Sequence, residues 1–185
     1  MDSHFSPSTL PMRCRLMLIA LALVWLPVGC ASYRFGADAL YPAGVRTVHI
    51  PVVRNETFRP DLGKQLTEAL VREVERRTPY KVVSSPLADS VLSCKIVMQN
   101  KTVLTEVLSD DPRALDTAIT VHANWNNRHG QSLMQNSIVS SDVDMTGFSQ
   151  NARFVPEAGQ SIDTANLQAI EQLAGRIVSQ MESRW

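Results

Sequence analysis

Apolar and polar positions along this chain fall into runs that predict a short list of elements. Val45-Arg46-Thr47-Val48-His49-Ile50-Pro51-Val52-Val53 alternates with period two, Val48, Ile50 and Val52 against Thr47, His49 and Pro51, which predicts a strand. Pro51 puts that strand at a sheet edge or a strand end. Pro60 and Asp61 then open a helix, and Leu62, Leu66, Ala69, Leu70 and Val74 recur on one stripe until Thr78-Pro79 ends it. Tyr80-Lys81-Val82-Val83 predicts a short strand. From Asp89 to Leu108 neither Gly nor Pro occurs; Leu92, Cys94, Ile96 and Met98 take one face, with Ser93, Lys95 and Gln99 on the other. Unbroken, that run would reach about 65 Å at about 3.3 Å per residue, so a bend or bulge near Asn100 is expected. Thr117, Ile119, Val121, Ala123 and Trp125 mark a further strand, Asn126–Gly130 a turn, Gln131–Met145 its returning partner, and Gly147–Gln160 a connection. Ser161 caps a last helix, with Asp163 in its first turn and Ile162, Ala165, Ala169, Ile170, Leu173, Ile177, Met181 and Trp185 as its apolar stripe. The expected fold class is α+β: a two-layer sandwich, a roughly four-stranded mixed or antiparallel sheet with two helices packed on one face, in the order β-α-β-β-β-α.

Composition bounds the reading. The chain has 185 residues, 44% of them hydrophobic, enough for a packed core. Lys and Arg number 18 and Asp and Glu 18, so the net charge is zero. That excludes nucleic-acid capture by the domain as a whole while leaving room for a local basic patch.

The amino-terminal segment carries the first functional signal. Leu16–Leu26 is an apolar run too short for the roughly 20 residues of a spanning helix. It follows Arg13 and Arg15 and ends at Pro27-Val28-Gly29-Cys30, the layout of an export signal, with either Met1 or Met12 as its start. A cysteine directly after a small residue is the arrangement of a bacterial lipoprotein signal, although Leu26 stands four residues before Cys30 where three is usual. Acyl chains on Cys30 would hold the domain at a membrane, since each buried methylene contributes about 0.8 kcal/mol. The alternative is ordinary secretion with Cys30 paired to Cys94; if Cys30 is acylated, Cys94 is a buried free thiol. The expected organisation is a signal over 1–29, a lipidated tether over 30–44 and one domain over 45–185.

Chemistry is sparse. His4, His49, His122 and His129 show no metal-ligand spacing, and no nucleotide-binding or serine-nucleophile motif occurs. His122 as a general base, or Asp110-Asp111 as paired carboxylates, are the candidates for an envelope hydrolase; a strand histidine and a loop beside Pro112 are the plainer readings. No catalytic residue, metal ligand or cofactor is assigned, apart from acyl chains on Cys30. Arg72, Arg76 and Arg77 form a basic cluster, which on a helix is more often a solvated face than a phosphate site.

The run Leu40-Tyr41-Pro42-Ala43-Gly44 through Asn55-Glu56-Thr57-Phe58-Arg59-Pro60, joined to Leu66-Thr67-Glu68-Ala69-Leu70, Tyr80-Lys81-Val82-Val83 and Ala88-Asp89-Ser90-Val91-Leu92, resembles the LPS-assembly lipoprotein LptE family. The order and spacing of these segments carry the resemblance, over nearly all of the exported chain. It implies a lipoprotein at the periplasmic face of the outer membrane that plugs the LptD β-barrel, helps it assemble and engages lipopolysaccharide (LPS). Ala31 after Cys30 agrees with that address. The candidate LPS or barrel contacts, by position, are Lys95 and Lys101 on the polar face of the long strand. The other reading is a lipoprotein subunit of a different envelope assembly or secretion complex.

Overall fold

The computed structural model describes residues 41–42, 44–106, 112–134 and 145–182, all within the compact unit Phe35–Trp185. The signal segment, Cys30, Asp110-Asp111 and Trp185 lie outside the described residues. Eight elements follow one another: β1 Thr47–His49, β2 Arg54–Asn55, α1 Asp61–Arg77, β3 Lys81–Val83, β4 Ser90–Glu106, β5 Pro112–Asn127, β6 Thr146–Phe154 and α2 Ile162–Ser179, with a 3-10 turn at Pro156–Ala158.

The class is α+β as the pattern predicts, but the sheet has six strands rather than four, in the order β3-β1-β4-β5-β6, with β2 lying on β4 beyond the end of β1. β1 runs parallel to both β3 and β4, and β2 parallel to β4. β4, β5 and β6 are antiparallel. Two differences account for the extra strands. Of the first predicted strand, Val45–Val53, only Thr47–His49 forms β1; the chain leaves the ladder around Pro51, and a further short strand, β2, forms just beyond it at Arg54–Asn55. On its side away from β4, β5 pairs with β6, nearly all of it inside the stretch expected to be a connection; of the expected returning strand Gln131–Met145, residues 131–134 bridge Asn126 through Ser132, and residues 135–144 lie outside the described residues. β6 gives a weak sequence signal because its inward positions read Phe148, Gln150, Ala152 and Phe154, with Gln150 interrupting the apolar alternation.

Both helices cover the same face. α1 packs on β2, β3 and β4, α2 on β5 and β6, and the helices pack on each other. Their contacts fix a parallel arrangement: Arg59 meets Asp163 at one end (3.0 Å), and Arg77 meets the Gly175 carbonyl and Glu182 at the other. The core between the layers holds Leu66, Leu70, Val74, Leu92, Ile96, Ile119, Trp125, Ile170, Leu173 and Ile177, all essentially without solvent contact. Each such side chain contributes about 1.5–3 kcal/mol relative to exposure.

The junction between β2 and α1 explains why the Asn-x-Thr-x-x-Pro and Leu-Thr segments stand where they do. Asn55 Oδ1 accepts from the Thr57 amide (3.0 Å) and hydroxyl (2.8 Å), and its Nδ2 donates to the Arg59 carbonyl. This turn leads into α1, whose N-cap Pro60 supplies no side-chain cap. Gly63 lies against the break before β2, and Thr67 Oγ1 accepts the Val53 amide at 2.9 Å, satisfying an N–H that the interrupted strand leaves out of the ladder. At the other end of the strands Asp89 receives the amides of Arg46 and Thr47 and the guanidinium of Arg128, tying β1, β4 and the turn after β5 together.

Candidate functional site

Strand alternation decides what each sheet face presents. On β5 the odd positions Leu115, Thr117, Ile119, Val121, Ala123 and Trp125 are buried under the helices. On β4, Leu92, Cys94 and Ile96 point the same way, but the register shifts between Ile96 and Met98. This bulge at Val97 reverses the phase from Met98 to Val103, after which the register shifts again toward the end of β4. It falls three residues before the expected position, and the strand continues through it rather than ending. Met98 is therefore opposite Thr120 on the outer face and 47% exposed, while Gln99, Lys101 and Val103 move to the helix side.

The two candidate lysines are accordingly not neighbours. Lys95 lies on the open face, opposite His122 and in register with Arg54 of β2. Lys101 lies on the helix-side face opposite Thr117 and is exposed. The polar run that looks continuous in the sequence is split by one residue between two surfaces.

On the open face, Arg54, Lys95 and His122 form a row across three adjacent strands, which in a sheet stand about 4.7–4.9 Å apart. Glu56 pairs with Lys95 at 3.4 Å, both groups partly exposed. The row continues into Gly147 of β6, so nothing bulkier than a hydrogen follows His122 in that direction. Ser93, Thr120, Ser149 and Asn151 surround it. Apart from exposed Met98 the face is polar, carries more basic than acidic charge in that row, and has no covering layer among the described residues. Arg54 escaped the sequence reading, and His122 entered it only as a possible general base, because the cross-strand register that brings both beside Lys95 is not written in any one strand.

The helix-side face has a polar cluster at the top of the core. Asn166, 2% exposed, accepts from Thr117 Oγ1 at 2.9 Å and Gln99 Nε2 at 3.2 Å. Beside it a cleft of about 420 Å³ opens between the N-terminal ends of the helices, lined by Phe58, Arg59, Pro60, Leu62, Asp163 and Asn166. A second cleft of about 440 Å³ lies between the helices against Arg72, Glu73, Arg76, Gln168, Glu171 and Gln172. Its charged walls suit water, not hydrocarbon.

The remaining candidates resolve as structure. Glu73 binds Arg76 at 2.7 Å and Arg77 at 3.3 Å, and the Arg76 guanidinium holds its carboxyl below the ordinary range. The basic cluster thus carries its own counter-ion, with Arg77 bridging the two helices. His49 Nδ1 meets the Val83 carbonyl at 3.0 Å. Cys94 is a free, buried thiol pushed up to about 12 by burial. Among the described residues no group of His, Cys, Asp and Glu could hold a metal ion, and no helix is long and apolar enough to cross a membrane.

What fold and faces define is a two-layer α+β module whose chemistry resides in exposed surfaces. The family model described as LptE, lipopolysaccharide assembly, matches residues 45–184, and the chain belongs to that family. No curated protein matches its sequence. Among solved structures it is similar to the uncharacterized lipoprotein B of Nitrosomonas europaea, at 15% identity and a TM-score of 0.51, covering 80% of this chain and 88% of that one. The rare lipoprotein B of Shewanella oneidensis is also similar, at 12% identity and a TM-score of 0.48 over 74% and 93% of the two chains. The PelC dodecamer of Paraburkholderia phytofirmans follows at 11% and 0.45 over 77% and 93%. At such identities the likeness speaks for the fold alone.

Proposed function

We propose that this chain is an outer-membrane lipoprotein, held by acyl chains on Cys30, that plugs and helps assemble the LptD β-barrel and binds LPS on its way to the outer leaflet. Membership of an LPS-assembly family supports the pathway. The observation that carries the binding step is the row of Arg54, Lys95 and His122 on an uncovered polar face. Phosphate groups of a lipid headgroup present closely spaced negative charge, and adjacent strands space the cations to meet it. The Lys95–Glu56 pair is partly exposed, so exchanging it for a phosphate costs little. The charged walls of the cleft between the helices favour a polar group over an acyl chain. Lys101, on the other face, stays available to a protein wall.

The test is direct binding of the purified protein to LPS and to the same lipid after phosphatase treatment. Arg54→Ala combined with Lys95→Ala should weaken binding to intact LPS about tenfold or more and leave the weaker binding to dephosphorylated lipid nearly unchanged. Equal affinity of wild type and double variant for intact LPS would refute the assignment of this face. Radiolabelled fatty acid entering wild type but not Cys30→Ser tests the anchor.

A further inference from the structure

β2 leaves β4 early. The last bond between them runs from the Glu56 amide to the Ile96 carbonyl at 3.0 Å, after which the Asn55 turn carries the chain away into α1. β4 itself continues from Val97 to Glu106, paired on its other side with β5 throughout. On the side that β2 vacates, no described strand follows.

Which backbone groups face that open side follows from the ladder. Because the Ile96 carbonyl points toward β2, Lys95 points its N–H and C=O toward His122 of β5, and every second residue of β5 from there does the same in return. Thr120, Ala118 and Asp116 therefore bind Met98, Asn100 and Thr102. The residues between, Gln99, Lys101 and Val103, direct their N–H and C=O outward. This segment contains neither Pro nor Gly, and Val103 and Leu104 are 40% and 44% exposed. Free strand edges of this kind are usually blunted, because they template pairing with another chain. Lys101 and the bulge at Val97 limit indiscriminate pairing here without filling the vacant side.

The chemistry of the edge names its occupant: only an extended backbone offers donors and acceptors at the matching repeat. The adjoining surface offers something for that occupant's side chains. The cleft at the helix N-termini is walled by Asn166, which bonds Gln99 on this edge. It presents Phe58, fully exposed, and Pro60, with buried Leu62 at its floor. Main-chain bonds along an edge together with a pocket for alternate side chains are the two components of recognition by strand addition.

We infer that the free edge of β4 at Gln99, Lys101 and Val103 receives an extended segment of the barrel partner by strand addition, with an apolar side chain of that segment seated against Phe58 and Pro60. The inference rests on the proposed pairing with a β-barrel and adds where, and by which groups, the two chains join.

The experiment is hydrogen exchange on the full-length protein, alone and in its co-purified LptD complex, with two variants at one position. In the free protein the amides of Gln99, Lys101 and Val103 should exchange rapidly, and in the complex at least tenfold more slowly. Lys101→Pro removes an outward N–H without taking a bond from the β4–β5 ladder, whereas Lys101→Ala removes the side chain alone. Recovery of barrel with Lys101→Pro should fall at least tenfold below that with Lys101→Ala. A complex that forms while these amides exchange as in the free protein overturns the inference and leaves the proposed function standing. Protection in the isolated protein that rises with its concentration makes a second copy the occupant and overturns it too. A wild-type protein that forms no barrel complex removes the proposed function first, and this inference with it.

Discussion

Gly63→Ala is a substitution for which helix propensity and packing predict opposite outcomes. In the interior of a solvated helix Ala is favoured over Gly by about 0.8–1 kcal/mol. At Gly63 the added Cβ would stand 2.7 Å from the Val53 carbonyl oxygen and 3.3 Å from Asn55 Cβ. The first contact is to backbone, which cannot rotate away, so α1 has to retreat by roughly half an ångström to restore van der Waals separation. Overpacking of this kind costs about 1–3 kcal/mol. The retreat also stretches the 2.9 Å bond from the Val53 amide to Thr67, which contributes about 1 kcal/mol. With the propensity gain subtracted, the net loss is about 1–3 kcal/mol. Gly175 in α2 is the internal control: its Cβ would meet only the ends of Glu73 and Arg77, at 3.5 and 3.7 Å, so Gly175→Ala should gain about 0.5–1 kcal/mol. Urea unfolding followed by circular dichroism, with the slope unchanged, reads both values. Gly63→Ala should also be non-additive with Thr67→Ala, because the two perturb one junction. A Gly63→Ala protein as stable as wild type would show that α1 does not bear on the strand break, and the account of that junction would fall.

Two further outcomes follow from ionisable groups. The Asp89 carboxyl is held below the usual carboxylate range, first by the Arg46 amide, then by Thr47 and by Arg128. Its folded value is the lower one, so its contribution is present above the unfolded value near 4 and is lost as pH falls through the folded value. Asp89→Asn should be less stable at pH 7 and lose less on acidification to pH 3; urea midpoints that fall in parallel for both proteins would refute this. Cys94 is 6% exposed, with its thiol pushed up to about 12 by burial. Its reaction with a maleimide at pH 7 should therefore track unfolding and accelerate with urea, and fast labelling of the native protein would contradict its burial.

The elements with strong periodicity were legible in the residues. α1 and α2 run where the apolar stripes place them, and Ser161 caps α2 by accepting the Thr164 amide at 3.1 Å. β6 was not legible, because one polar residue among its four inward positions breaks a short alternation. The interaction faces were readable only in part. Lys95 and Lys101 stand six positions apart, a spacing that puts two residues of a regular strand on one face. A single inserted residue at Val97 puts them on opposite faces, and bulge positions carry no reliable signature in one strand taken alone. Arg54 and His122 required the pairing register, a property of three strands together.

The bulge also links the fold to its surfaces. Without it, Met98 would stay in the core phase of Leu92, Cys94 and Ile96, and Gln99 would point outward, unable to reach Asn166 and Thr117. With it, the helix side of β4 turns polar where the helices end, and the strand can leave the core. Beyond that point β5 packs on the 3-10 turn Pro156–Ala158, and β4 reaches Glu106 still paired with β5. Tyr41, the first described residue, is fixed at the opposite end of the helices by its hydroxyl bond to the Arg77 carbonyl at 2.8 Å. The proposed function, contact with both a lipid headgroup and a barrel wall, calls for two surfaces that do not compete. One inserted residue separates them: a basic row on the open face below the bulge, and a strand edge that no described strand covers above it, at the end of the helices opposite Tyr41.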